Sequence, residues 1–310
     1  MSNKVLKPKK ASLYQFTQKY SNNIDNCIEF FKSMKWPEGF SCDRCGCHKY
    51  YLVKRVGKTK TSYVLECSSC HKQHSLLSGT IFQSCKLDLY KLLLGIFLFF
   101  NENKGISAVD LCSILDVNYK TALLLENKCR ILMSLSNSDK LLNSPFYEAD
   151  VFNIGAKSKN KAGRASEQQP ILGILSTDKE NNYPRFIKLR VITDYTGLSL
   201  KKNIEKCCVL SHDALLNTDG EKGFNTLNEE IQVKNEKISY EEKDHRLLWL
   251  NMIIGNIKNN ITGIYHGITK REMPLFLNEQ EYRFNHRKMG KTIMDKIPEL
   301  QAETGNKKIS

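Results

Sequence analysis

The sequence lacks any apolar run long enough to cross a membrane. Its longest, residues 92–100 (LLLGIFLFF), ends after nine residues at Asn101 and Glu102, where a spanning helix needs about 20. It reads as a buried helix. The first ten residues, MSNKVLKPKK, lack the apolar stretch of a secretory signal, so a cytoplasmic protein with no membrane partner is expected. The 11 cysteines are odd in number, which argues against a disulfide framework. No internal repeat is present. Acidic residues are in deficit, 33 against 47 Lys and Arg for a net charge of +14, and the basic residues cluster at 49–60, 157–164 and 283–291. Such a surplus favours a polyanionic partner, nucleic acid before others.

What is present is an ordinary globular composition, 41% hydrophobic and 26% charged over 310 residues. That length suits two or three structural units. Residues 1–40 contain one amphipathic segment, with Ile24, Cys27, Ile28 and Phe31 at helical spacing, ended by Trp36 and Pro37. Residues 41–85 are rich in Cys, Gly and Lys with short alternating stretches, as in strands that support loops. The periodicity over 86–140 is helical, with breaks at 103–105 and 116–118, and fits three helices. From 145 to 290 strands are expected at 146–154, 171–177, 186–192 and 214–217, and a helix over 246–262, giving a mixed α/β domain. Residues 291–310 form a polar tail.

Cys42 and Cys45, then Cys67 and Cys70, are two Cys-x-x-Cys pairs separated by 21 residues, 46–66. Each pair aims two thiolates at one point, and two such turns complete the four-sulfur shell of structural zinc. Cys47, His48, His71 and His74 are near enough to substitute. With all four positions filled by protein, the ion has no open site for catalysis, and the unit reads as a recognition or docking module.

Ser107 followed by Ala108, Val109 and Asp110 has the Ser-x-x-Asp form of a helix N-cap, and Leu111, Ile114 and Leu115 supply an inward face. Cys112 is small enough for a second helix to pack closely. Residues 116–118 form a turn with Val117 buried and Asn118 capping the next helix. The pattern is that of a helix-turn-helix, with 119–128 as recognition helix and Tyr119, Lys120 and Thr121 at the end that reaches DNA.

Asp150 lies within an apolar strand and is followed by a basic stretch that includes Lys157 and Arg164. Asp219 closes a second apolar strand ahead of Gly220. On the helix from Arg246, Leu250, Ile254, Ile257 and Ile261 form the packing face, while Asn251, Gly255 and Lys258 share another side. Two aspartates and a third oxygen ligand suit a pair of Mg²⁺ or Mn²⁺ ions, which prefer oxygen donors and leave sites for phosphate and water. Lys258 would position a phosphate. Taken one at a time, these residues fit acids that cap strands and a solvated helix residue better than they fit a catalytic site.

These marks, WPEGFSCDRCG from Trp36, SLLSGTIF from Ser75, GISAVDLCSIL from Gly105, YEADVFNIGAK from Tyr147, NTDG from Asn217, GIYHGITK and EYRFNHR, resemble the zinc-ribbon insertion-sequence transposases of the DDE superfamily over 36–287. The resemblance implies a ribonuclease-H-like catalytic domain whose first two acids lie on strands and whose third ligand lies on a helix seven residues before a basic residue. Asp150, Asp219, Asn251 and Lys258 occupy those places. Glu148, two residues before Asp150 on the same strand face, is a further candidate ligand. Asn251 is neutral where a carboxylate would bind Mg²⁺ more firmly. The activity implied is metal-dependent cleavage of element ends, the terminal inverted repeats, and transfer of the 3′-hydroxyl into target DNA by a homo-oligomer, nucleoid-associated if bacterial. The alternatives are a decayed or domesticated DNA-binding copy and a zinc-dependent protein-docking module.

Overall fold

The computed structural model describes residues 12–57, 61–137, 141–155, 168–178, 183–235, 247–287 and Ile297. The chain divides into two compact units, the first running to Ser136 and the second spanning Asn137–Arg287. Among the described residues no helix is long and apolar enough to cross a membrane.

The first unit opens with two helices, α1 (Leu13–Tyr20) and α2 (Ile24–Lys35). The α1 helix has no counterpart in the sequence reading. A capping box starts it: Ser12 accepts from the Gln15 N–H while the Gln15 side chain accepts from the Ser12 N–H. The α2 helix buries Cys27, Ile28, Phe31 and Met34, but Ile24, expected on that stripe, is exposed at the first helical position. A three-stranded antiparallel sheet follows, β1 (Tyr50–Val56), β2 (Thr61–Cys67) and β3 (Gln73–Ser75), in the order β1-β2-β3. The α2 helix is tied to it by Lys32 Nζ donating to the Tyr50 hydroxyl at 3.0 Å and Lys35 Nζ donating to the Ser75 carbonyl at 2.7 Å.

The expected three helices are α3 (Leu89–Asn101), α4 (Ala108–Leu115) and α5 (Tyr119–Asn137). The apolar run 92–100 is the buried core of α3. Gly95 lies at its crossing with the other two helices: a methyl group there would come within 2.5 Å of Leu125 Cδ2 and 2.9 Å of Leu115 Cδ1, so the missing side chain sets how closely they pack.

The second unit is built on a five-stranded mixed sheet. Its strands are β4 (Phe146–Ile154), β5 (Gln169–Thr177), β6 (Pro184–Val191), β7 (Leu215–Thr218) and β8 (Gln232–Asn235), in the order β6-β5-β4-β7-β8. The β6-β5-β4 half is antiparallel, and β4-β7-β8 is parallel. Alternation along β4 sends Tyr147 and Ala149 into a core with α6 (Gly197–Glu205) and the 3-10 helix Lys222–Leu227. Phe152 and Ile154 go into a second core with α7 (Leu248–Gly263) and α8 (Met273–Asn285). The sheet is thus covered on both faces, and the even-numbered residues of β4 look toward α7.

Candidate active site and metal centre

Cys42 and Cys45 lie in a turn before β1. Cys67 ends β2, and Cys70 follows in the next turn. The Cys42 and Cys70 sulfurs are 3.5 Å apart, as are those of Cys45 and Cys67, and all four lie within 4.8 Å of one another. Four sulfurs around one zinc at about 2.3 Å stand roughly 3.8 Å apart, so the donor set and spacing fit a tetrahedral ion. Burial pushes the Cys42 thiol up, but backbone N–H groups of Arg44 and Cys45 and neighbouring side chains outweigh it and bring it down to about 6, toward the thiolate that zinc binds.

Three of the four possible substitute ligands are engaged elsewhere. Cys47 faces the Ser68 hydroxyl, His48 pairs with the Phe40 carbonyl at 3.0 Å, and exposed His71 pairs with Glu66. Buried His74 packs edge-on against Trp36 and Phe40 and lies with Asp43 beside Cys42.

In the helical region Ser107 Oγ accepts the Asp110 N–H and donates to its carboxylate, as the motif requires. Asn118 Oδ1 accepts the Thr121 N–H at 2.9 Å and caps α5. One expectation fails. Ile114 is 53% exposed rather than inward, because only Ala108, Leu111 and Leu115 of this short helix reach the core. The half-buried Cys112 donates its thiol to the Val117 carbonyl. Val117 is half-buried. Tyr119 and Lys120 are exposed at the start of α5, whereas the Thr121 hydroxyl is spent on Asn118 Oδ1 at 3.0 Å. Lys157 and Arg164 lie outside the described residues.

Asp150 and Asp219 meet through strand register. In the parallel pair β4-β7, Phe146, Tyr147 and Glu148 stand opposite Leu215, Leu216 and Asn217. Two residues further along, Asp150 comes level with Asp219, one strand spacing away and on the α7 face. Gly220, with φ of 95°, turns the chain away immediately after. The two carboxyls are hydrogen-bonded. Burial, then the Asp219 charge and that hydrogen bond, push Asp150 up to about 7 against the opposing pull of the Val151 N–H and the Lys258 ammonium. Two acids held this close offer hard oxygen donors, one of them an unusually basic carboxyl, and fit a divalent cation.

The α7 helix completes the arrangement. Leu250 sits over Gly173, its Cδ1 3.3 Å from where a β-carbon would be, and Gly173 is the strand partner of Asp150. Asn251 follows on the exposed side of the first turn, and Lys258 two turns on places its ammonium 5.6 Å from the centre of the Phe152 ring. Asp150, Asp219 and Lys258 are therefore brought together electrostatically. For Asn251 the structure gives a place next to Leu250 and no direct bond to either acid.

Glu148, whose position made it an alternative ligand, has one of its two carboxyl oxygens engaged elsewhere. It is 1% exposed, and its Oε2 accepts the Leu250 N–H at 2.9 Å. Among the described residues, every group of three or more acidic, Cys or His side chains close enough to share an ion lies in the ribbon. The N-cap of α7 is Leu247, which offers no capping side chain, and a strand carboxylate supplies the missing acceptor. Negative charge at a helix N-terminus stabilises by about 0.3–1 kcal/mol. Sequence reasoning had no signal for this link, since the partners lie 102 residues apart.

Residues 23–73 match the family model for the transposase zinc-ribbon domain, which takes in α2 as well as the cysteine turns. Residues 144–285 match the model for the ISXO2-like transposase domain, from the start of β4 to the end of α8. No curated protein matches the chain. The two models cover well over half the sequence, in the order ribbon then catalytic domain, and the chain belongs to the zinc-ribbon insertion-sequence transposases of the DDE superfamily.

Proposed function

We propose that this chain is the DNA transposase of an insertion sequence, which binds the element's terminal inverted repeats and carries out strand cleavage and 3′-hydroxyl strand transfer into target DNA. The observation that carries the reading is the hydrogen-bonded pair Asp150 and Asp219, level on adjacent parallel strands with the Lys258 ammonium facing them. The strand order supports a ribonuclease-H-like domain over 145–290, with its antiparallel half, its parallel half and helices on both faces.

In this reading Asp150, Asp219 and Asn251 hold Mg²⁺ or Mn²⁺. Two such ions supply activation of a water or 3′-hydroxyl nucleophile and stabilisation of the leaving oxygen. Lys258 holds a phosphate of the scissile strand. The ribbon over 41–85 is a structural zinc site, and the helix-turn-helix over 86–140 presents Tyr119 and Lys120 to the major groove or its phosphates, with Thr121 fixing the helix start. Lys157 and Arg164 add phosphate contacts, and pairing of two ends implies a homo-oligomer.

The test is cleavage of end-containing duplex DNA with Mg²⁺ or Mn²⁺ by wild type, Asp150→Ala and Asp219→Ala. Nicking by wild type and loss in both variants is the expected result. A wild type that binds the ends but never cuts them would replace this reading with a binding-only copy, which the neutral Asn251 already favours as the second possibility.

A further inference from the structure

The Glu148 carboxyl is a costly thing to bury. It is 1% exposed, its Oε1 has no hydrogen-bond partner, and its Oε2 is held by one backbone N–H. A side chain of similar size without charge would spare the desolvation. We propose that Glu148 is a positioning residue that locks the first turn of α7 onto β4 and so sets Asn251 over Asp150. The inference rests on the reading of Asp150, Asp219 and Asn251 as cation ligands.

The geometry gives the mechanism. Helix N-termini carry donors with no partner inside the helix, and Leu247 caps none of them. Glu148 takes the Leu250 N–H, so the strand that carries Asp150 two residues later also grips the residue before Asn251. Leu250 then drops its side chain into the space left by Gly173, opposite Asp150. Those two contacts fix both the slide and the rotation of α7 on the sheet. A metal site tolerates errors of only about 0.2 Å in ligand distance, and a neutral ligand has no charge to draw it in from a poor position.

Three variants of the zinc-loaded full chain test this: Glu148→Met, isosteric and without an acceptor; Glu148→Gln, whose amide oxygen can take the same N–H; and Asp150→Ala. With zinc in place and no Mg²⁺ or Mn²⁺ added, hydrogen exchange of the amides of 247–251 should rise in Glu148→Met and stay at the wild-type level in Glu148→Gln. Mn²⁺ affinity should fall by about 10- to 100-fold in Glu148→Met, the usual effect of losing a partner behind a ligand, and stay within about 3-fold of wild type in Glu148→Gln. Unchanged exchange in Glu148→Met, or wild-type Mn²⁺ affinity in that variant, would overturn the proposal. So would a Glu148→Gln that loses Mn²⁺ as fully as Asp150→Ala, since Glu148 would then act by charge. If Asp150→Ala keeps wild-type Mn²⁺ affinity, the cation reading itself fails, and the exchange comparison still reports whether Glu148 anchors α7.

Discussion

Asp150 is half-buried and shares a hydrogen bond with a second acid, and both facts tie its proton to the stability of the fold. Its carboxyl rises from 3.8 to about 7, and that of Glu148 from 4.5 to about 7. With the folded value above the unfolded one, stability is whole below about pH 4, declines as pH rises, and levels off above about pH 7. Asp150→Asn should therefore gain stability relative to metal-free wild type as pH is raised across that window, in thermal unfolding followed by circular dichroism. A constant difference between the two proteins at all pH values would refute the linkage. Lys258 acts in the other direction. Lys258→Met removes the cation that opposes the rise of Asp150, so the carboxyl should move further up, and the cleavage rate should drop on the order of 10- to 100-fold, the worth of a charge-assisted hydrogen bond to phosphate. Single-turnover rates at saturating DNA measure it, and a rate within 2-fold of wild type, roughly 0.4 kcal/mol, counts against the assigned role.

Among elements, α5 depends most on one side chain. Asn118→Ala deletes the acceptor of the Thr121 N–H and should cost about 1 kcal/mol of stability. It should also weaken DNA binding if the start of α5 is the reading end, as a gel-shift titration would show. A variant with unchanged melting would mean that packing alone sets this helix. The elements legible in the sequence are those whose core partners lie on a simple stripe. The residues of α3, β4, β5 and α7 announce themselves because the buried face is apolar. Helix α8 does not, for it buries Glu279 and Glu281, which are met by Arg283, Lys188 and Arg190, and its polarity hides it. Helix α6 buries only Leu200 and Ile204, and β8 is an edge strand with no fully buried residue. At the site, spacing reveals the cysteine quartet outright because its ligands are local pairs. Asp150 and Asp219 are visible as acids out of place, but their alignment is a property of the β4-β7 register, and the bond from Leu250 to Glu148 depends on how α7 docks.

For the whole molecule, the two units should part company when zinc is removed. The three-stranded sheet of the first unit is small, and such sheets draw much of their stability from the ion. Chelation, or Cys67→Ser, should unfold the ribbon while 137–287 keeps its own transition in calorimetry, and should lower affinity for duplex DNA. Retention of the ribbon's hydrogen-exchange protection after chelation would show the metal to be dispensable. DNA affinity should also fall steeply with salt, with a slope of about −0.9 per phosphate neutralised, as a net charge of +14 leads one to expect. The parallel register that aligns Asp150 with Asp219 has a genetic consequence as well. Strand β7 has parallel neighbours on both sides, so no hairpin turn holds it in step. One inserted codon between Ala214 and Asp219 would flip its side chains to the opposite face and separate the acids, while the ribbon and the helices of the first unit remain as they are. Under the proposed function, a single small lesion would turn a cutting copy into one that occupies the same DNA ends and blocks its active siblings.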